Sequence, residues 1–148
     1  MTTKADFTEQ EWKAVLEGPP SAGMIVMTAT RGGTFRETFA IGKAYAHARQ
    51  EHGASELLDE IVAAKPEVDH TRYGSFEEIE QHGLQHLRDA VAVLEQKASP
   101  DEVEDYRRFV LTLARRVAAA HREDGTDVSP AEEAAIEAIA ASLGAAAA

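Results

Sequence analysis

Residues 99–122 read SPDEVEDYRRFVLTLARRVAAAHR, and this stretch identifies the fold class. Ser99 is placed as a helix N-cap, a proline follows at the first helical position, and Glu102 completes a capping box. Apolar residues then recur at alternating spacings of three and four, which places them on one face of a helix: Val103, Tyr106, Val110, Leu113, Val117 and Ala120. We expect this face to be buried, and we expect the arginines on the opposite face to be exposed: Arg108, Arg115 and Arg122.

Similar start signals recur along the chain, with a serine or threonine three residues before an acid. Phe7 and Trp12 flank the first of them and are placed for a hydrophobic staple. Gly18-Pro19-Pro20 is expected to stop the first helix, because proline lacks the N–H that continues a helix. The predicted helices are Glu9–Leu16, Ser21–Ala29, one opened by the Thr34/Glu37 pair and ending near Gln50, Glu56–Ala64, Phe76–Gln96, Pro100–Arg122 and Pro130–Leu143.

Composition agrees with this pattern. The 148 residues are 44% hydrophobic and 28% charged, as in an ordinary globular protein, alanine is abundant, and no strand-like alternation occurs. The sequence therefore predicts an all-α fold, a single-domain helical bundle of about six or seven helices over residues 1–148, with a frayed alanine tail at 145–148. Gly42 and Gly83 lie inside predicted helices and are expected to permit close approach of a neighbouring helix.

Charge and residue types exclude several function classes. Fifteen basic residues against 26 acidic ones give a net charge of -11, which argues against nucleic-acid or anionic-membrane partners. The absence of cysteine excludes disulfides, thiolate metal sites and thiol nucleophiles. No apolar run reaches the ~18 residues of a membrane span, and the first residues lack the apolar block of a signal peptide. We expect a cytoplasmic protein whose partner is another protein, with a homo-oligomer as an open alternative.

A pattern typical of anion binding occurs before the third predicted helix. Gly33 and Thr34 precede a helix N-terminus, and Arg31 and Arg36 flank them. Backbone donors, the positive end of a helix dipole and two guanidinium groups are the ingredients of a small anion site. The alternative is a glycine turn followed by an ordinary N-cap.

A second candidate site uses histidine and acid ligands, which suit a divalent metal such as zinc, iron or manganese. Glu78, His82 and His86 step by four along one predicted helix and lie in one row. If that helix and the next form an antiparallel hairpin, His121 comes to the same level. The alternative is an exposed His82, with His86 and His121 as partly buried histidines that each make a hydrogen bond.

The segment from Ala118 to Gly144 resembles the closing helical hairpin of the tellurite-resistance protein B-like family. The matching residues form an acidic turn, a serine-capped helix start, an isoleucine stripe and a closing Leu-Gly: Asp124, Gly125, Ser129, Glu132, Glu133, Ile136, Ile139, Leu143 and Gly144. That family is all-helical and associated with metal or stress responses. The resemblance implies acidic metal-binding positions at Asp124, Asp127 and either Glu132 or Glu133.

Three functional hypotheses follow. No convergent set of nucleophile, base and oxyanion donor can be assembled, so the leading hypothesis is a non-enzymatic interaction or stress-associated protein. The first alternative is a divalent-metal-binding protein or hydrolase that uses the histidine and acid cluster. The second is a small-anion binder at the Gly-Gly-Thr helix N-terminus.

Overall fold

The computed structural model describes residues 2–29, 35–50, 56–68, 71, 73–123 and 130–144, without the side chains of 35–39 and 121–123. These residues form one short 3-10 helix, Lys4–Asp6, and six α-helices, and they contain no strand. The helices are α1 (Glu9–Ala29), α2 (Phe35–Gln50), α3 (Glu56–Ala63), α4 (Phe76–Lys97), α5 (Pro100–Glu123) and α6 (Pro130–Leu143). The predicted all-α class is confirmed. Within the described part of the chain, no helix combines the length and apolar character needed to cross a membrane.

Helix α5 lies at the centre of the core in the orientation that its sequence predicts. All six predicted apolar positions are buried: Val103, Tyr106, Val110, Leu113, Val117 and Ala120. Arg108 and Arg115 are exposed, as expected, and the side chain of Arg122 lies outside the described residues. Buried side chains from all six helices join this face in one hydrophobic cluster.

Local start signals are also confirmed at α1 and α5. The Thr8 backbone N–H donates to Glu11 Oε1 at 2.8 Å, and the Glu11 N–H donates to Thr8 Oγ1 at 3.1 Å. The rings of Phe7 and Trp12 pack with their centroids 5.6 Å apart, which is the predicted staple. These contacts involve neighbours in sequence, so capping rules are sufficient to find them.

Glu102 makes a capping box and also anchors the start of the chain. Its carboxylate accepts the Ser99 N–H at 2.9 Å, the Thr2 hydroxyl at 2.7 Å and the Thr2 N–H at 3.2 Å. Burial raises the pKa of Glu102, but the hydrogen bonds from Ser99 and Thr2 outweigh burial and hold that pKa below its ordinary value. The ionised carboxylate therefore joins the N-terminal segment to the first turn of α5.

The predicted break between the first two helices is wrong. Helix α1 continues through Gly18-Pro19-Pro20, so the segments Glu9–Leu16 and Ser21–Ala29 are parts of one helix. Pro19 has no N–H to donate to the carbonyl of Val15, one turn earlier. The hydroxyl of Tyr106 on α5 donates to that carbonyl at 2.7 Å in the buried core. A side chain from a distant helix thus satisfies the backbone group that proline leaves without its usual donor.

Gly18 provides the space for this contact and shows how α1 lies in the bundle. A Cβ atom at Gly18 would overlap the Tyr106 hydroxyl of α5 and would lie 3.5 Å from Ala90 Cβ of α4. Helix α1 is therefore in contact with both α4 and α5 at this level. The α4–α5 hairpin, on which the level of His121 depended, is not the main packing of α4, because α4 packs chiefly along α1.

Helices α1 and α4 run antiparallel and approach closely at Gly83. A Cβ atom at Gly83 would lie 2.7 Å from Ile25 Cδ1, which confirms the prediction that this glycine permits close packing. At the other end of the pair, Lys97 Nζ lies 2.9 Å from Glu11 Oε1. The corresponding prediction for Gly42 is wrong, because among the described residues no atom lies within 4 Å of a Cβ built there.

Candidate functional site

A pocket opens where α1, α4 and the segment before α4 meet. Its volume is about 110 Å³. The three elements contribute three residues each, and most of the lining is apolar: Pro20, Ser21 and Met24 from α1, Val68, Thr71 and Tyr73 from the connecting segment, and Ile79, Gly83 and His86 from α4.

The pocket depends on the two features that break local helix rules. Helix α1 continues past Pro20, so Ser21 and Met24 face α4 rather than belonging to a separate helix. Gly83 lets α4 approach α1 closely, with Ile25 packed against it, and both Gly83 and the small Ser21 line the recess. Val68, at the rim, is 41% exposed and is the large hydrophobic residue most open to solvent in the described part of the chain. The result is an apolar recess that is continuous with an exposed aliphatic side chain.

A histidine and a carboxylate join α4 to α1 beside this recess. His86 Nδ1 lies 3.1 Å from Glu17 Oε2, with side-chain exposures of 26% and 15%. The other oxygen, Glu17 Oε1, lies 3.9 Å from Lys13 Nζ, one turn earlier on α1. Because His86 also lines the pocket, the negative charge of Glu17 is held close to its edge.

Two further contacts organise the side of the pocket that precedes α4. The Tyr73 ring stacks on the His82 ring, with centroids 4.6 Å apart and planes inclined by 23°. Glu78 Oε2 accepts the Gly74 N–H at 2.9 Å, and the Glu78 N–H donates to Ser75 Oγ at 3.2 Å. Both contacts hold the segment before α4 against the first turns of that helix, with Tyr73 turned towards the pocket.

The predicted metal residues therefore have separate surroundings in the described part of the structure. Glu78 caps the start of α4, His82 is exposed against Tyr73, and His86 pairs with Glu17. No group of three or more potential ligands occurs among the described residues. The side chain of His121 lies outside them, and the hairpin that would have brought it to this level is not the main packing of α4. The complete four-residue site stays a prediction.

Zinc tests that prediction directly. Glu78, His82 and His86 are each held in a different local contact. We therefore expect any effect of zinc on the melting temperature to be the same in the wild type and in His82→Ala. Thermal unfolding followed by circular dichroism, with and without zinc, measures the change. His47→Ala, which removes an exposed histidine from α2, is the matched control. A zinc-dependent rise retained in wild type and His47→Ala but lost in His82→Ala would establish the metal site instead.

The other predicted site residues fall largely outside the described part of the chain. Arg31, Gly33 and Thr34 lie outside it, as does the side chain of Arg36, so the anion site stays a prediction. The same holds for two acids implied by the tellurite-resistance resemblance, Asp124 and Asp127. Of the remaining two, both on α6, Glu132 is buried and Glu133 is exposed.

Sequence reasoning assigned only His86 among the nine lining residues to a site, and it missed both Tyr73 of the lining and Glu17, the partner of His86. Glu17 lies directly before Gly18-Pro19-Pro20 and just past Leu16, the predicted end of the first helix. Tyr73 lies in the longest predicted loop. A signal was available for Glu17, because Lys13, Glu17 and Ser21 follow a helical spacing of four that crosses the prolines. No comparable periodicity marks Tyr73.

Comparison with known proteins provides no further guide to this site, since no family model, curated protein or solved structure matches the chain.

Proposed function

We propose that this protein is a non-enzymatic interaction protein that binds its partner through the pocket between α1, α4 and residues 68–73. The observation that carries the proposal is a chiefly apolar recess of about 110 Å³ beside an exposed Val68. Ligand sites are typically concave and apolar, with a few polar groups that set orientation. Here the polar residues of the lining are Ser21, Thr71, Tyr73 and His86.

Size limits what can enter. An apolar cavity of about 150 Å³ holds benzene, so a recess of about 110 Å³ suits a smaller group such as one branched aliphatic side chain. Burial of such a side chain contributes about 1.5–3 kcal/mol, which is enough for an anchor but not for a whole interface. The pocket therefore supports a role as the anchoring point of a larger contact.

A second recess, beside Trp12, has a different character. Its volume is about 180 Å³, and charged side chains make up half of its lining: Lys4, Glu9, Lys13 and Glu67. Charged side chains around a recess hold water, and their desolvation opposes the burial of an apolar group there. The pocket beside Val68 is therefore the better candidate for an apolar anchor.

Dissolved xenon tests the pocket without any assumption about the partner, because it is neutral, apolar and forms no hydrogen bonds. We expect xenon to shift the methyl resonances of Met24, Val68 and Ile79 in carbon-detected NMR spectra. Val93, which is half-buried on α4 outside the pocket, should be unaffected.

Two variants make this test specific. Ile79→Trp fills the recess and should abolish the xenon shifts at Met24 and Val68. Val93→Trp adds the same group to the same helix elsewhere and should leave them intact. Absence of xenon shifts at the three lining methyls of the wild type would overturn the proposed function.

A further inference from the structure

We propose that the pocket receives a basic segment of a partner protein, in which one branched aliphatic side chain is the anchor and lysine or arginine residues flank it. This inference rests on the proposed function, since it specifies what enters the same pocket. It follows from the shape of the recess, the charges held at its edge and the exposure of Val68.

Two carboxylates lie near the recess without lining it, and each is held by a contact to a neighbouring residue. Glu17 is placed by His86, a lining residue, with 3.1 Å between Nδ1 and Oε2. Glu78 directly precedes the lining residue Ile79 and is placed by the Gly74 N–H at 2.9 Å. Both carboxylates are already held in position, so a cationic partner meets them without a further loss of their side-chain entropy, and it shares Glu17 with Lys13, whose Nζ lies 3.9 Å from Oε1.

The charge of the whole chain acts in the same direction. A net charge of -11 attracts a basic segment at long range and repels an acidic one. Long-range attraction alone would not select the pocket, however, because acids are distributed over the whole surface. The local contribution is the apolar anchor, which the recess can bury. Selectivity should therefore require both a basic flank and an aliphatic anchor in the same segment.

Val68 indicates that the contact extends beyond the recess. At 41% exposed, this side chain offers apolar surface next to the pocket mouth. The methylene stems of lysine or arginine residues can cover such a surface while their charged ends reach a carboxylate. A basic flank thus complements both Val68 and the fixed carboxylates, whereas glutamate or aspartate flanks would place like charges together.

Three acetylated and amidated pentapeptides test this inference: KKLKK, EELEE and KKGKK. Binding is followed through the methyl resonances of Met24, Val68 and Ile79. At an ionic strength of about 0.01 M we expect KKLKK to bind at least about tenfold more tightly than either other peptide. At about 0.1 M, where the Debye length shrinks to about 10 Å, its advantage over EELEE should fall.

Matched charge variants separate attraction by the two carboxylates near the pocket from attraction by the net charge of the whole chain. Glu17→Gln/Glu78→Gln removes the two fixed charges while retaining amide groups that can accept hydrogen bonds. Glu133→Gln/Glu137→Gln makes the same net change on exposed positions of α6. We expect the first pair to reduce KKLKK affinity at least about threefold more than the second. The folded state of each variant is checked by circular dichroism.

The outcomes distinguish this inference from the proposed function. If xenon shifts the lining methyls but KKLKK shows no advantage over EELEE or KKGKK, the pocket is confirmed and the basic-partner inference is overturned. Equal loss of affinity in the two double variants also overturns it, because the attraction would then be non-local. Failure of xenon to shift those methyls overturns the proposed function itself.

Discussion

Gly18→Ala is expected to lower the free energy of unfolding by about 2–4 kcal/mol, although alanine is normally the better helix residue. The new Cβ atom would overlap the Tyr106 hydroxyl, so the phenol ring has to move within a fully buried site. That movement also removes the donor to the Val15 carbonyl, which Pro19 leaves without a backbone partner. Equilibrium urea unfolding of the two proteins measures the loss.

Tyr106→Phe provides the matched test of this mechanism. By itself it should cost about 1–3 kcal/mol, because the Val15 carbonyl stays buried without a donor. In the Tyr106→Phe background, Gly18→Ala should cost clearly less than in the wild type, since the overlapping oxygen is absent and Cζ lies 3.3 Å from the new Cβ. The two substitutions should therefore be non-additive. Additive losses would show that the clash at Gly18 involves something other than the hydroxyl.

Leu113→Ala is expected to lower the free energy of unfolding by about 2–4 kcal/mol. Leu113 is fully buried on α5, and its Cδ2 would lie 3.1 Å from a Cβ atom at Gly23 of α1. Removal of the isobutyl group leaves a cavity between α5 and α1, which the tightly packed glycine surface cannot readily fill. Urea unfolding again provides the measurement.

Arg115→Ala is the control for that experiment. Arg115 lies two residues further along the same helix but is exposed, and its loss should cost less than about 0.5 kcal/mol. Both substitutions place alanine in a helix, so their propensity effects are small and favourable. Similar losses from the two variants would contradict the assignment of buried and exposed faces on α5.

Helix type and most helix bounds follow from short-range signals. Ser75, Ser99 and Thr8 cap helices by contacts within three residues, and the apolar stripe of α5 depends only on helical periodicity. Such features depend on residues that are close in sequence, and the folded protein retains them because tertiary packing is compatible with them. The predicted bounds of α6, Pro130 and Leu143, are confirmed.

The pocket and the path of α1 depend instead on residues far apart in sequence. Proline normally ends a helix, and the local rule failed at Pro19 because the donor for Val15 comes from Tyr106, 91 residues away. Likewise, Glu17 and His86 come into contact only when α1 packs along α4. Local propensity specifies which segments become helices, whereas hydrogen bonds and steric fit between distant segments decide where one helix ends and which side chains surround a site.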